Sequence, residues 1–207
     1  IFLADFVVED GVPTLRNTRQ LQPGAQHGFY QVDDWSPDGA RLLVSAHPRA
    51  GQGVASLDIY RYDLASGRFR RLMQTPDWDH FAHYSADGRQ IYWASTRDLG
   101  VKFRSVEGLN WRRDIRTELW VMGADGADPR RLTFFNMRGH RDQAWFRSRV
   151  FAASRVFVGD NLALLDGTRV VAVLGYEAAG GQINGALAVI DLAARATQSP
   201  AAPGHPQ

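Results

Sequence analysis

One short segment of the sequence combines residue types that bind metal ions. Within residues 75–83, His80 and His83 lie three positions apart, and Asp77 and Asp79 precede them. Imidazole nitrogens and carboxylate oxygens are common ligands of zinc and similar ions. Successive side chains of a β-strand point to opposite faces, however, so this spacing separates the two imidazoles unless the backbone is irregular. We therefore predict no metal site here, and expect a structural or channel-lining role for both histidines.

Three aspartates that each precede a glycine are the next candidates for chemistry. Paired carboxylates can act as general acid and base, and Asp38, Asp87 and Asp166 recur in similar surroundings. An Asp at such a place also caps a turn, because its side chain accepts hydrogen bonds from backbone amides two residues further on. Their recurrence at matching positions favours turn capping over catalysis.

No other enzymatic motif is visible in the sequence. The nucleophile motif Gly-x-Ser-x-Gly of serine hydrolases does not occur. The absence of cysteine excludes Cys nucleophiles, thiolate metal sites and disulfides within these residues. We therefore predict that the chain is not an enzyme and that it binds no cofactor.

The turn aspartates belong to a repeat. Residues 34–45 (DWSPDGARLLVS) match residues 83–94 (HYSADGRQIYWA) after 49 residues, and residues 163–172 form a degenerate third copy. Each copy combines an aromatic or apolar strand end, an Asp-Gly turn and an alternating strand. This is the pattern of a β-hairpin.

A second hairpin follows the first one in each repeat. Residues 57–72 and 118–133 both read as strand, polar glycine turn and strand, residues 186–192 are a weaker version, and residues 1–21 fit the same place ahead of the first repeat. Two hairpins per repeat of about 45–50 residues indicate the four-stranded antiparallel blade of an all-β propeller rather than a sandwich. Strands of the two clearest blades are predicted at 29–35, 41–46, 57–63, 68–73, 79–84, 90–95, 117–122 and 128–133.

Three segments carry a resemblance to a known family. The Trp-Ser-Pro-Asp-Gly of residues 35–39, the Ser-Thr-Arg-Asp of residues 95–98 and the turn of residues 124–133 resemble the repeats of TolB-like β-propellers. The sequence departs from that pattern at Ala86, where the family usually has Pro, and at Leu164 and Leu165, where the Ser-Pro pair is missing. The resemblance extends over about residues 1–195, most clearly over 29–133.

The resemblance sets expectations for domain organisation. Residues 1–195 are expected to supply about three and a half blades, whereas TolB-like propellers close with about six. Every blade of a ring needs a neighbour on both sides, so we expect a fragment whose partner blades lie upstream. Residues 196–207, rich in Ala and Pro, are predicted to be a disordered tail.

Two sets of residues are candidates for binding a partner. The strand before each Asp-Gly turn is the innermost strand of a blade and lines the channel, which makes Asp33, His80 and His83 candidates. The alternative is that such groups only hydrate the channel or fix contacts between blades.

The long insertion of residues 99–116 mixes aromatic and cationic side chains, as binding surfaces do, and its candidates are Phe103, Trp111, Arg112 and Arg113. A loop packed over the blade edge is the rival interpretation. The same two interpretations apply to the Arg-rich connection of residues 134–154.

These observations favour a non-enzymatic scaffold that binds a protein or peptide in the bacterial envelope, in the periplasm or otherwise exported. The net charge of only +2 and the lack of a recognised nucleic-acid module argue against nucleic-acid binding. The sequence contains no run of 18 apolar residues, so no membrane span is predicted. The alternative is the propeller portion of a larger prolyl-oligopeptidase-type hydrolase, whose catalytic domain lies outside these residues. The Pro-rich end favours termination near Gln207, and so the scaffold.

Overall fold

Four antiparallel β-sheets follow one another along the chain and form part of a β-propeller. The computed structural model describes residues 1–24, 28–48, 57–101, 115–150, 155–178 and 180–196. The sheets are a leading hairpin of β1 and β2, blade A of β3 to β6, blade B of β7 to β10, and blade C of β11 to β13. The expected three and a half blades are thereby confirmed, while closure into a six-bladed ring stays a prediction.

The elements have the following bounds. The strands are β1 Phe2–Glu9, β2 Val12–Gln20, β3 Phe29–Trp35, β4 Arg41–His47, β5 Asp58–Asp63, β6 Phe69–Arg71, β7 Asp79–Tyr84, β8 Gln90–Ser95, β9 Glu118–Gly123, β10 Arg130–Arg131, β11 Val156–Ala163, β12 Arg169–Glu177 and β13 Ile183–Asp191; the helices are α1 Arg141–Arg149 and α2 Ala193–Ala196. The predicted strands agree with β3 to β10 to within two residues or so, and the fourth strand of each blade is shorter than predicted.

The Asp-Gly turns are capped as the sequence indicates. In blade A, Asp38 Oδ1 accepts hydrogen bonds from Ser36 Oγ at 2.5 Å and from the amide of Ala40 at 3.0 Å. Asp87 and Asp166 accept the same bond from the amide two residues further on, at 3.0 and 2.9 Å. The glycine after each aspartate has φ between 67° and 69°, which glycine adopts without strain. These three carboxylates therefore hold the turns between the first and second strands.

The hydrophobic core lies between sheets rather than within one. Leu43 and Ile59 of blade A are buried against Trp93 and Trp120 of blade B. Blade B is joined to blade C by a larger cluster that includes Leu119 and Val158. Because blades A and B each bury one face against the sheet before them and the other against the sheet after them, the blades stack side by side.

One helix interrupts the blade pattern. The connection of residues 134–154 contains α1, which the sequence analysis did not predict. Its first turn is capped by the His140 side chain, and Asp142 accepts a hydrogen bond from the amide of Phe134 at 2.9 Å. Phe146 packs into the cluster between blades B and C, so the helix is part of that core. Within the described residues, no helix has the length and apolar character needed to cross a membrane.

Candidate functional site

The first strands of the three blades lie side by side. β3, β7 and β11 each form one edge of their sheet, and β7 contacts both of the others. Each of these inner strands has a β-bulge, placed between Val32 and Asp34, between His80 and His83, and between Val158 and Asn161. Bulges redirect side chains, and Phe81 in the second bulge has a φ of 56°. The backbone of all three inner strands is therefore irregular at a similar distance from the Asp-Gly turn.

His83 lies between two carboxylates from neighbouring blades. Its Nε2 is 2.7 Å from Oδ1 of Asp160 in β11, and its Nδ1 is 3.6 Å from Oδ2 of Asp34 in β3, the latter a charge contact rather than a hydrogen bond. Burial by itself lowers the pKa of the His83 imidazole, but the two carboxylates outweigh burial and raise it above 6.5. His83 thus links the inner strands of three blades.

Backbone groups complete the connection between the inner strands. The amide of Tyr84 donates to Asp34 Oδ2 at 2.9 Å, and Asn161 Nδ2 donates to the carbonyl oxygen of Phe81 at 2.7 Å. Asn161 is buried, so its hydrogen bond is shielded from water. The site is held on rigid strands, which suits recognition more than a mobile loop would.

Asp33 is an acid of the site whose pKa is raised. Its carboxylate accepts a hydrogen bond from Ser45 Oγ, while Oδ1 is shielded from solvent and has no hydrogen-bond partner among the described residues. Burial raises the pKa of Asp33 to about 7, and Ser45, the Ala82 amide and His83 offset only part of that rise. Asp33 can therefore gain or lose a proton near neutral pH, as binding and catalytic groups often do.

His80 has different surroundings from His83. Only 7% exposed, it packs against the rings of Trp78 and Phe81, with centroids 4.9 and 3.9 Å away. Neither of its ring nitrogens has a hydrogen-bond partner within the described part of the chain. Burial lowers the pKa of His80 to about 4, so the imidazole is neutral at pH 7. The two histidines do not share one site.

A second group of polar residues lies at the outer strands and is structural. Glu118 is fully buried and accepts from Arg131 Nη2 at 2.9 Å, from Thr133 Oγ1 at 2.7 Å and from the amide of Asn136 at 2.7 Å. Asp58 and Arg71 form the equivalent ion pair in blade A. Both pairs tie the start of the third strand to the end of the fourth.

Three of the seven predicted site residues lie in the described part of the chain, and four do not. Asp33, His80 and His83 all lie on the inner strands, as expected. Phe103, Trp111, Arg112 and Arg113 lie outside the described residues. Across the described ranges, no three His, Cys, Asp or Glu side chains are grouped so that they could hold a metal ion.

The binding candidates chosen from the sequence do not include two carboxylates of the site, Asp34 and Asp160. Asp34 was detectable, because it occupies in the first repeat the place that His83 occupies in the second. Asp160 gave no such signal, since blade C lacks the Ser-Pro pair and its bulge is placed differently. The acid–arginine pairs had a signal as well: Asp58 precedes Arg71, and Glu118 precedes Arg131, by the same 13 residues.

Solved structures share this fold. A TolB protein from Agrobacterium tumefaciens is 20% identical with a TM-score of 0.50, over 89% of this chain and 60% of that chain. A puromycin-hydrolyzing peptidase from Mycobacterium tuberculosis is 14% identical with a TM-score of 0.50, over 92% of this chain and 28% of that chain. No family model matches the sequence. The chain thus spans about 60% or less of these proteins, and the likeness identifies the fold as a TolB-like β-propeller.

Proposed function

We propose that this protein is a non-enzymatic propeller scaffold of the bacterial envelope, in the periplasm or otherwise exported, and that it binds a protein or peptide partner at its inner strands. The observation that carries the proposal is the cluster of Asp33, Asp34, His83 and Asp160, which three blades place at one level. The fold likeness to a TolB protein supports the scaffold role and the location.

The acidic character of the inner strands favours contacts with a peptide. The three inner strands carry Asp33, Asp34, Asp79 and Asp160 and contain neither Lys nor Arg, although Lys and Arg slightly outnumber acids in the whole chain. Within the described ranges, Asp33 Oδ1 and both ring nitrogens of His80 have no hydrogen-bond partner, and the hydrogen bonds of a ligand that reaches them can satisfy these atoms. Peptides offer both backbone donors and acceptors and suit such a surface.

Removing His83 is expected to weaken peptide binding at least about tenfold, because a hydrogen bond to a charged group contributes about 1.5–3 kcal/mol. The measurement starts with a phage-displayed library of random twelve-residue peptides selected on the protein. Affinities of enriched peptides for the parent protein, His83→Ala and His83→Gln are then compared by fluorescence anisotropy.

Arg89→Ala is the matched control for this prediction. Arg89 lies in the same blade, in the exposed turn away from the inner strands, and its variant should bind as the parent does. Thermal unfolding of each variant separates lost binding from lost folding. Enriched peptides whose affinity does not change in either His83 variant would contradict the proposed site.

A second candidate function rests on the likeness to the puromycin-hydrolyzing peptidase. In that hypothesis the chain is the propeller portion of a larger prolyl-oligopeptidase-type hydrolase, and the inner strands contact its substrate. The complete gene product would then hydrolyse puromycin or aminoacyl p-nitroanilides, and would contain a Gly-x-Ser-x-Gly segment outside residues 1–207. A complete product without either property rejects this candidate.

A further inference from the structure

A cavity of about 200 Å³ lies between blades A and B, at the end of the sheets that carries the Asp-Gly turns. Blade A contributes its turn and Arg61 of β5, and blade B contributes its own turn and Tyr84 of β7. The residues that line the cavity include Pro37, Arg41, Arg61, Tyr84, Asp87 and Ala124. None of the four residues of the inner-strand cluster lines it, so this is a separate place on the molecule.

Arg61 carries a positive charge that no carboxylate of the described residues neutralises. Its Nη1 donates to the carbonyl of Ala124 at 3.1 Å, which uses one of the five N–H groups of the guanidinium. Arg41 differs, because its guanidinium is 3.0 Å from Asp38 and 3.8 Å from Asp63. Arg61 can therefore donate further hydrogen bonds to an anion in the cavity.

The hydroxyl of Tyr84 is a second group that lacks a hydrogen-bond partner. Tyr84 is only 7% exposed and belongs to the core between blades A and B, and its hydroxyl makes no hydrogen bond with any described residue. Burial raises the pKa of Tyr84 and the charge of Arg61 offsets part of that rise, so the hydroxyl keeps its proton at neutral pH. A ligand oxygen that accepts from it would remove the cost of an unsatisfied buried group.

The fold does not require these polar groups, because the next pair of blades packs without them. The first turns of the three blades align through the backbone hydrogen bond that closes each of them, donated by Ser36, Ser85 and Leu164. In the same alignment, the places of Arg41, Arg61 and Tyr84 are taken between blades B and C by Gln90, Val121 and Ala163. Blades B and C nevertheless share a continuous core. The guanidinium and hydroxyl groups are thus specific to the cavity between blades A and B.

We propose that the cavity between blades A and B binds a small organic monocarboxylate, whose carboxylate accepts hydrogen bonds from the Arg61 guanidinium and the Tyr84 hydroxyl. The planar guanidinium matches the two oxygens of a carboxylate. Pro37 and Ala124 give the cavity apolar walls, which suit the hydrocarbon part of such a molecule.

The charges around the cavity favour a single negative charge on the ligand. Hydrogen bonds from Ser36 and Ser85 lower the pKa of Asp38 and Asp87, so both of these lining acids are ionised at neutral pH. A phosphate dianion would bring two negative charges beside them, and Arg61 could neutralise only one. A monocarboxylate brings one charge, which Arg61 balances.

Ligand-observed NMR on the complete gene product tests the proposal. The probes are sodium propionate, lactate and benzoate at constant ionic strength, with sodium phosphate and sodium chloride as competitors. We expect saturable binding of at least one probe, weakened at least about tenfold in Arg61→Gln and about fivefold in Tyr84→Phe. The matched controls are Arg68→Gln, in the exposed turn between β5 and β6, and Tyr92→Phe, whose hydroxyl donates to Gln90. Both controls should bind as the parent does.

Arginine modification gives an independent measurement in the unsubstituted protein, which does not depend on the folding of any variant. Phenylglyoxal should modify Arg61 more slowly when the bound probe is present, and Arg68 at an unchanged rate. Three results would overturn the proposal: none of the three probes binds, the probe that binds protects Arg61 no more than Arg68, or phosphate binds more tightly than every monocarboxylate.

Discussion

Glu118→Gln is expected to lower the free energy of unfolding by about 3–5 kcal/mol. Glu118 is fully buried, and it is the counter-ion of Arg131, whose side chain is itself only 12% exposed. A neutral amide leaves this largely buried guanidinium without a counter-ion, although Nε still donates to the carbonyl of Thr133. The cost of an uncompensated buried charge exceeds that of one lost hydrogen bond. The amides of Phe135 and Asn136 would also keep only a weaker, neutral acceptor.

Chemical denaturation at pH 7 measures this loss. Glu9→Gln is the matched control, because Glu9 pairs with Arg16 on the exposed leading hairpin, and its loss should cost less than about 1 kcal/mol. The double variant Glu118→Gln with Arg131→Met removes both charges and should recover part of the stability. If Glu118→Gln costs no more than Glu9→Gln, the ion pair does not hold the third and fourth strands together as described.

Asp33→Asn is expected to stabilise the protein at pH 8 by roughly 2–4 kcal/mol and to have a much smaller effect near pH 4. Burial raises the pKa of Asp33 from 3.8 to about 7, so the folded protein retains a proton that the unfolded chain releases. The wild-type protein therefore loses stability as the pH rises from 4 to 7. Asn carries no charge at any pH and keeps an oxygen that accepts from Ser45 Oγ.

The experiment compares unfolding of the parent and Asp33→Asn between pH 4 and pH 8. Asp87→Asn is the control, because hydrogen bonds from Ser85 and the Arg89 amide lower the pKa of that exposed turn carboxyl, so its replacement brings no gain of stability at high pH. A gain for Asp33→Asn that is constant with pH would show that Asp33 ionises normally. A stability gain accompanied by weaker peptide binding is the result expected of a functional group kept at the expense of stability.

Much of the fold follows from local sequence. The Asp-Gly turns at residues 38–39 and 87–88 need a positive φ and a capping side chain, and both requirements can be recognised in the residues themselves. The strands beside them alternate or are continuously apolar, as buried strands do. The repeat after 49 residues then identifies the blade, because neighbouring blades must bury equivalent faces.

The rest depends on contacts that a repeat does not encode. Helix α1 forms inside a connection, and its stability depends on Phe146 reaching a core that blades B and C provide. The bulge at Phe81 decides that His83 meets Asp34 and Asp160 while His80 packs against Trp78. Such a bulge depends on the neighbouring strand. The alternation of side chains along a strand therefore predicts that the two histidines lie on opposite faces, but it does not predict which residues they contact.

The candidate site was accordingly predicted in outline only. The inner strands could be named from their position before each turn, and with them Asp33 and His83. What could not be inferred was that a histidine from one blade would lie between carboxylates of the blades on either side of it. This arrangement depends on how the three inner strands are aligned along their length, and packing between blades sets that alignment rather than the sequence of any one blade.

Mapping where a bound peptide lies tests the central claim most directly. A library-selected peptide carrying a benzophenone side chain is bound to the protein and irradiated, and the crosslinked residues are identified by mass spectrometry. Binding at the inner strands predicts crosslinks within 29–35, 79–84 and 156–163, with loss of crosslinking in His83→Ala. Crosslinks confined to the outer strands β6 and β10, unchanged in that variant, would contradict the proposed site.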